Sequence, residues 1–411
     1  MDKKKVILFI FIAALLIRIF FAYLGFSYPK PEFPGSDSMR FDTIALNLSL
    51  GKGFVANGVP ATDRAPFYVF FLAVIYFIFG HTYLAVIFFQ SVISALTCVV
   101  VFGIAKKIFS VDIAIFSSIL CAIFPPLIGI NNYIISEPIY TFLSCVMIYY
   151  FLQFLENPCF KNSLIAGSSF GIGMLSRPFL VFLFILTVFS MFVYNIRNKV
   201  KKSIFLILVF LFVGLFVTAP WAIRNYVISK RFIPITMYAG FNFYAATAVD
   251  EVTYRKINAE WNPGQGEWEY VKLALSSIGN HPLGYITVSL RRFFNAAIHS
   301  YTDALGLEKI ETAEHGYKFF IRGVITWPFL IRAVMISCCM VIYIFALFGF
   351  FSNNYVVGSF AKRYVLYFLF TYLFLITFIS PATTRFYSPA YPLVLIFSSQ
   401  TIYRLFLRRI M

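Results

Sequence analysis

Charge is scarce in this chain: only 12% of its 411 residues are Asp, Glu, Lys or Arg, whereas 60% are hydrophobic and 20% aromatic. A soluble globular domain carries about 25% charged residues, so a water-soluble enzyme is excluded and the solvent is lipid. The sequence also lacks a CxxC pair, an HExxH helix and a phosphate-loop glycine motif. Nucleotide-driven chemistry therefore has no support, and no nucleotide cofactor is expected. Histidine is sparse as well: His81, His281, His299 and His315 are too dispersed to name a metal site. Of the six cysteines, Cys98, Cys121, Cys145, Cys338 and Cys339 fall inside apolar runs and Cys159 in a short loop. They read as packing thiols and not as a disulfide framework. Acidic residues number 17 against 34 basic ones, a net charge of +17. The Lys and Arg are scattered in small clusters between apolar runs and form no continuous basic face, so nucleic acid is not expected as a partner and the bilayer is.

What the chain has in abundance is long apolar runs. Ten of them read as spans of a hydrocarbon core about 30 Å thick, near residues 6–26, 83–105, 111–130, 135–155, 162–177, 179–195, 203–222, 326–350, 364–380 and 386–405. The expected fold class is thus an all-α polytopic membrane protein, a transmembrane helical bundle of about ten spans. Lys3, Lys4 and Lys5 precede the first run and no small-residue cleavage site follows it, so it reads as a signal anchor. The run Pro66 to Phe79 is shorter than a span and is followed by Gly80 and His81, which suits an interfacial or re-entrant piece.

Charge parity supports that assignment. If 66–79 does not cross, the clusters Lys3–Lys5, Lys106/Lys107, Lys161, Arg197/Lys199/Lys201/Lys202, Lys362/Arg363 and Arg404/Arg408/Arg409 share one side, the inside of the positive-inside rule. Glu32, Asp37, Asp42, Asp63, Glu137 and the nine acidic residues from Asp250 to Glu314 then lie outside, leaving Asp2, Asp112 and Glu156 within. The expected organisation is an N-terminal membrane region, 1–223, whose first outer loop is 27–65 and whose interfacial segment is 66–80. An outer-face loop domain, 224–325, forms a small and partly helical cap, with a helix expected over 269–278. A C-terminal membrane region, 326–411, completes the chain.

Chemistry is expected where polar residues meet the outer face. Ser36 or Asp37 reads as the cap of an amphipathic helix that ends at Gly51-Lys52-Gly53, and Asp37 is equally a candidate catalytic carboxylate. Asp63-Arg64-Ala65-Pro66 offers an interface anchor, or else a carboxylate ligand beside a phosphate-binding cation. Glu137, in Ser136-Glu137-Pro138, is either a helix N-terminal charge or part of a carboxylate-lined pocket with Asp37 and Asp63. Arg177, Arg224 and Arg385 stand at the outer ends of spans, as lipid anchors or as a cradle for a lipid phosphate or pyrophosphate, which guanidinium binds in bidentate fashion.

Several motifs occur together and in a fixed order. Asp37-x-x-Arg40-Phe41, Ile44-Ala45, Asn47-Leu48, Gly51-x-Gly53-Phe54 and Arg64-Ala65-Pro66-Phe67-Tyr68 are followed by Ser136-Glu137-Pro138 and Ser176-Arg177-Pro178. Pro220-Trp221-Ala222-Ile223-Arg224-Asn225 and Arg385-Phe386-Tyr387-Ser388-Pro389 complete the series. The set resembles family 39-type membrane glycosyltransferases, relatives of the protein O-mannosyltransferases and the lipid A aminoarabinose transferase. The resemblance covers the chain up to the large loop, and the last span, but not the loop itself. It implies a GT-C fold, with amphipathic helices in the first outer loop and a donor sugar linked to a polyprenyl phosphate. Asp37 matches the family's essential Asp, implying a general base on the acceptor hydroxyl and inversion at the anomeric carbon. Glu137 is the second candidate catalytic carboxylate. Arg40, Arg64, Arg177, Arg224 and Arg385 are the candidate substrate and lipid-phosphate ligands, and Asp63 is the candidate ligand of a divalent metal.

The chain departs from the pattern in two places. Asp63-Arg64-Ala65-Pro66 stands where the aminoarabinose transferase has Glu-Lys-Pro-Pro, and Glu137 stands where the family often has Asp. Expected partners are the polyprenyl-phosphate sugar and a lipid, glycan or protein acceptor, in a bacterial inner or cell membrane with the site on the periplasmic or extracellular side. The alternatives are a transporter or flippase of polyprenyl-linked sugars, and an oligosaccharide ligase. A transporter favours ionisable residues at the bilayer midplane, whereas here the acids crowd one face.

Overall fold

The computed structural model describes residues 3–26, 37–178, 180–198, 203–260, 262, 266–298, 327–351, 359–380 and 384–407. Ser36, Lys199, Lys201 and Lys202, Trp261, Pro263 to Gln265, and the acidic residues from Asp303 to Glu314 lie outside them.

The architecture is helical. α1 (Lys3–Phe26) leads to α2 (Asp37–Ser49), a two-residue hairpin of β1 (Val55–Ala56) and β2 (Val59–Pro60), and the short α3 (Pro66–Phe79). α4 (Tyr83–Ile108) and α5 (Val111–Ile123) follow, then α6 (Pro125–Gly129) and a 3₁₀ turn at Ile130–Asn132. α7 (Glu137–Glu156), α8 (Phe160–Ser176), α9 (Leu180–Asn198) and α10 (Ser203–Ser229) complete the N-terminal region. α11 (Ala239–Ala246), α12 (Glu251–Ala259), α13 (Glu267–Asn280) and α14 (Pro282–Ile298) are shorter or amphipathic, and α13 contains the helix expected over 269–278. α15 (Trp327–Phe351), α16 (Ser359–Ile379), a 3₁₀ segment at Thr384–Ala390, α17 (Tyr391–Ile402) and a π-helical turn at Tyr403–Leu407 complete the described elements.

All ten expected spans fall on helix, but not all as one straight rod. Among the described residues seven helices are long and apolar enough to cross a membrane, and α5 with α6 and its 3₁₀ turn makes an eighth if that pair, bent by 53°, counts as one span. The bend follows from Pro125 and Pro126, which lack the N–H groups that a continuous helix needs. α8 has 17 residues, and the last run is split into the 3₁₀ segment, which contains Pro389, and a 12-residue helix. α3 is a single 14-residue helix opened by Pro66 and closed at Gly80.

Glycine sets one of the closest helix contacts. A Cβ on Gly167 would come within 2.7 Å of the Phe210 carbonyl, and one on Gly171 within 2.8 Å of the Gly214 carbonyl. α8 and α10 therefore meet through a small-xxx-small seam, the packing that lets membrane helices touch backbone to backbone. Gly167-Ser168-Ser169-Phe170-Gly171 also has the spacing of a G-x-S-x-G nucleophile elbow. Ser169 lies inside α8 and donates its hydroxyl to the Ile165 carbonyl at 2.7 Å, so the match is helical packing and no elbow is formed.

The core of the bundle is aliphatic and aromatic, with Phe124, Tyr140, Phe151, Phe170, Tyr364 and Phe397 all buried. A second core binds the first loop to it. Phe41, Ile44 and Ala45 of α2 pack with Tyr68, Val69 and Leu72 of α3, and Phe41 meets Tyr68 edge to face at 5.1 Å. Burying Phe41 and Ile44 contributes roughly 1.5–3 kcal/mol each. α2 is thereby laid against the bundle with Asp37 at its first residue.

Candidate functional site

Five separate segments deliver charge to one place. Asp37 and Arg40 lie on the first turn of α2, Asp63 and Arg64 precede α3, and Glu137 opens α7. Arg177 terminates α8, donating its backbone N–H to the Gly173 carbonyl at 2.8 Å, and Arg385 lies in the 3₁₀ segment before α17. Each is at a helix end or loop because mid-helix polar groups in lipid are costly, whereas bundle ends can hold them.

The side chains form one continuous ion network. Arg40 binds Asp63 in bidentate fashion, at 2.9 and 3.1 Å. Arg64 reaches both Asp63 at 3.5 Å and Asp37 at 2.9 Å. Arg385 pairs with the other Asp37 oxygen and approaches Glu137 at 3.3 Å, and Arg177 also pairs with Glu137. Arg177 further donates to the Ser136 hydroxyl at 3.3 Å. Among the described residues four guanidinium groups thus face three carboxylates, an excess of one positive charge.

Aromatic rings hold the guanidinium planes. Arg177 and Arg385 both lie over Phe386, at 4.2 and 5.2 Å from the ring centroid, and Arg64 sits 5.6 Å from the Tyr238 ring. Tyr238 precedes α11, and the adjoining Met237 N–H donates to the Thr62 carbonyl at 3.3 Å, so the approach to α11 rests on the site. Glu267 accepts the Gly240 N–H at the start of α11, and burial pushes its carboxyl up to about 7.

Electrostatics sort the network by exposure. Burial works to raise the Asp37 carboxyl, but the charges of Arg385, Arg64 and Arg177 outweigh it and hold Asp37 below its ordinary value. Asp37 is therefore ionised at neutral pH, and its side chain is 32% exposed. Glu137 is 1% exposed. Its Oε2 and the Arg64 Nε are buried without a hydrogen-bond partner, two polar atoms at the heart of the cluster.

Seven of the eight residues singled out in the sequence are brought together, and Arg224 is set apart. Its guanidinium donates to the Ala61 carbonyl at 2.6 Å, the Phe54 carbonyl at 3.2 Å and the Asn225 side chain at 3.0 Å, while stacking 4.6 Å over Trp221. Its contacts hold the β1–β2 hairpin against α10. Asp63, the metal candidate, has both oxygens engaged by Arg40. No group of three or more His, Cys, Asp or Glu suited to a metal ion exists among the described residues. In this structure Asp63 is the acceptor of a bidentate salt bridge.

Two polar features escaped the sequence reading. Asp42 accepts hydrogen bonds from Tyr76 at 2.5 Å and Tyr83 at 3.3 Å and contacts His81 Nε2 at 2.9 Å, tying α2 to the α3–α4 turn. Arg18, wholly buried in α1, is a charged residue inside an apolar run, and that is the signal that could have found it.

The family described as dolichyl-phosphate-mannose-protein mannosyltransferase matches residues 63–223, a stretch that contains Asp63, Arg64, Glu137 and Arg177. No curated protein matches the chain. Among solved structures, ArnT from Cupriavidus metallidurans bound to undecaprenyl phosphate is similar, with a TM-score of 0.60 and 13% identity over 99% of this chain and 62% of its own. Archaeal oligosaccharyltransferase AglB from Archaeoglobus fulgidus, in complex with an inhibitory peptide and a dolichol-phosphate, gives 0.58 and 16% over 99% of this chain and 52% of its own. A second AglB structure, in complex with Zn and sulfate, gives 0.55 and 14% over 97% of this chain and 49% of its own. This chain thus spans about half to three fifths of the length of these proteins. It is an integral, multi-pass membrane protein with the fold of the GT-C glycosyltransferases, similar over residues 63–223 to the dolichyl-phosphate-mannose-protein mannosyltransferases.

Proposed function

We propose that the protein transfers a sugar from a polyprenyl-phosphate carrier to a hydroxyl acceptor on a lipid, glycan or protein, at the outer face of a bacterial cell membrane. The observation that carries this reading is the charge balance at the site, four guanidinium groups around three carboxylates. An excess positive charge in a partly buried place favours a phosphate as the missing anion. The likeness to ArnT bound to undecaprenyl phosphate and to AglB with a dolichol-phosphate supports the choice of a polyprenyl phosphate.

In this reading the donor phosphate binds between Arg64, Arg385 and Arg177, with Arg40 holding Asp63 in place behind them. The phosphate competes with Asp37 for Arg64 and Arg385, so donor binding loosens both ion pairs on the carboxylate. Asp37 then accepts the proton of the acceptor hydroxyl as its oxygen attacks the anomeric carbon. The bond from that carbon to the carrier oxygen breaks, and its electron pair leaves on the polyprenyl phosphate, whose charge the arginines receive. Attack opposite the leaving phosphate inverts the configuration. Glu137, anchored by Arg177 and Arg385, keeps these two guanidinium groups oriented.

The test is turnover of a panel of synthetic polyprenyl-phosphate sugars by the purified full chain with envelope glycolipids as acceptors, the anomeric configuration of the product being read by NMR. An inverted product supports the mechanism, and a retained configuration overturns it. Transfer of a whole oligosaccharide is the second reading, favoured by the likeness to AglB. It predicts that, with polyprenyl-linked oligosaccharides added to the panel, only these are consumed and no single-sugar donor is.

A further inference from the structure

Arg18 lies in the apolar α1, and its side chain is wholly buried, yet none of its hydrogen-bond partners is a carboxylate. Its Nε donates to Ser94 at 2.7 Å. Nη1 donates to the Ala14 carbonyl at 3.1 Å and the Ala122 carbonyl at 3.2 Å, and Nη2 to the Cys121 carbonyl at 3.3 Å and Cys98 Sγ at 3.5 Å. A guanidinium has five N–H groups, and five acceptors meet this one.

Two of those acceptors have a specific reason to need a donor. In a continuous α-helix the carbonyl of residue i accepts the N–H of residue i+4. The partners of Cys121 and Ala122 would be residues 125 and 126, and both are proline. The same pair of prolines that bends α5 from α6 therefore deprives two buried carbonyls of their partners, in a setting without water to replace them. We infer that Arg18 is the clamp of this broken span, supplying from α1 the two donors that Pro125 and Pro126 cannot, and that through it the start of α7 and Glu137 are positioned.

The link to Glu137 is continuous. Past the bend, Gln90 donates to the Asn131 and Tyr133 carbonyls, each at 2.9 Å, Asn131 donates to Ser91 at 2.8 Å, and Asn132 donates to the Phe21 carbonyl at 3.1 Å. Ser136 and Glu137 follow directly, and both take hydrogen bonds from Arg177. A small cavity lined by Arg18, Ser94, Pro138 and Thr141 places the clamp beside the first turn of α7. Arg18 touches no site residue in this arrangement; it acts on the cluster through the backbone between Cys121 and Glu137. The inference rests on packing alone and does not depend on which reaction the site performs.

The test is a cycle of four full-length proteins in detergent: wild type, Arg18→Met, Pro125→Ala/Pro126→Ala, and all three substitutions together. The readouts are the thermal midpoint and hydrogen exchange over 121–137. Arg18→Met should lower the midpoint by about 5 °C or more and speed exchange over 121–137 by about tenfold, because two buried carbonyls lose their donors. In the background carrying both Pro→Ala changes the backbone N–H groups are restored, and the same Arg18→Met change should cost far less by both readouts. If Arg18→Met does not accumulate in membranes, recovery of the protein by the added Pro→Ala changes is the supporting result. Equal losses in the two backgrounds, or no recovery, would overturn the inference.

Discussion

At the scale of single residues, charge compensation decides what the site can lose. Glu137 is almost fully buried and takes Arg177 and Arg385 as its partners. Removing one partner of a buried pair leaves an uncompensated charge, at a cost of roughly 3–5 kcal/mol. Arg177→Met should therefore destabilise the protein by about 3 kcal/mol, less whatever Arg385 compensates. Adding Glu137→Gln should recover most of the loss, and thermal unfolding of the single and double variants checks it. Asp37 behaves differently because its folded carboxyl lies below the ordinary value of 3.8. Its contribution to stability is present above that value and is lost as pH falls through the lower, folded one. Asp37→Asn should flatten this part of the acid limb, seen as a smaller loss of thermal midpoint on acidification below pH 4.

Much of the cluster was legible in the sequence for a physical reason. Carboxylates and arginines at the ends of apolar runs are conspicuous, since lipid tolerates them only with partners. What could not be read was the pairing, because Arg385 meets Asp37 across almost the whole chain. Arg224 could not be told apart from the site arginines by sequence. By position it matches the other arginines, and only its stacking on Trp221 and its carbonyl acceptors separate it from them.

At the scale of elements, apolar length and proline placement predicted where helices form, and packing decided their shape. The ten expected runs are helical, yet Pro125, Pro126 and Pro389 turn two of them into bent or interrupted pieces. Hydropathy averages over such breaks and so cannot see them. The α8–α10 seam was equally hidden, since glycine at Gly167 and Gly171 carries no hydrophobic signal. A side chain at Gly171 would meet the Gly214 carbonyl and Val217. Gly171→Val should thus force α8 from α10 and cost roughly 1–3 kcal/mol or more, with the thermal midpoint falling while Gly279→Ala, which meets open space, leaves it almost unchanged.

At the scale of the whole molecule, one end of the bundle carries the Asp37 network and the other carries Lys107 paired with Glu156, and Arg197 in the last turn of α9. The proposed outer-face site requires the latter end to be cytoplasmic, as the positive-inside rule expects. Single cysteines in a cysteine-free background should report this: Lys52→Cys should react with a membrane-impermeant maleimide in intact cells, and Asn157→Cys only after permeabilisation. The reverse pattern would place the site on the cytoplasmic face and contradict an outer-face donor.

The central claim is that this cluster moves a sugar off a polyprenyl phosphate with Asp37 as the base. The most direct measurement is release of polyprenyl phosphate from a radiolabelled donor by the purified protein, wild type against Asp37→Asn, with donor binding followed in parallel. Asp37→Asn should still bind the donor but lose turnover by about 10²-fold or more. Undiminished release by Asp37→Asn would contradict the claim, and so would donor binding by the wild type without any release.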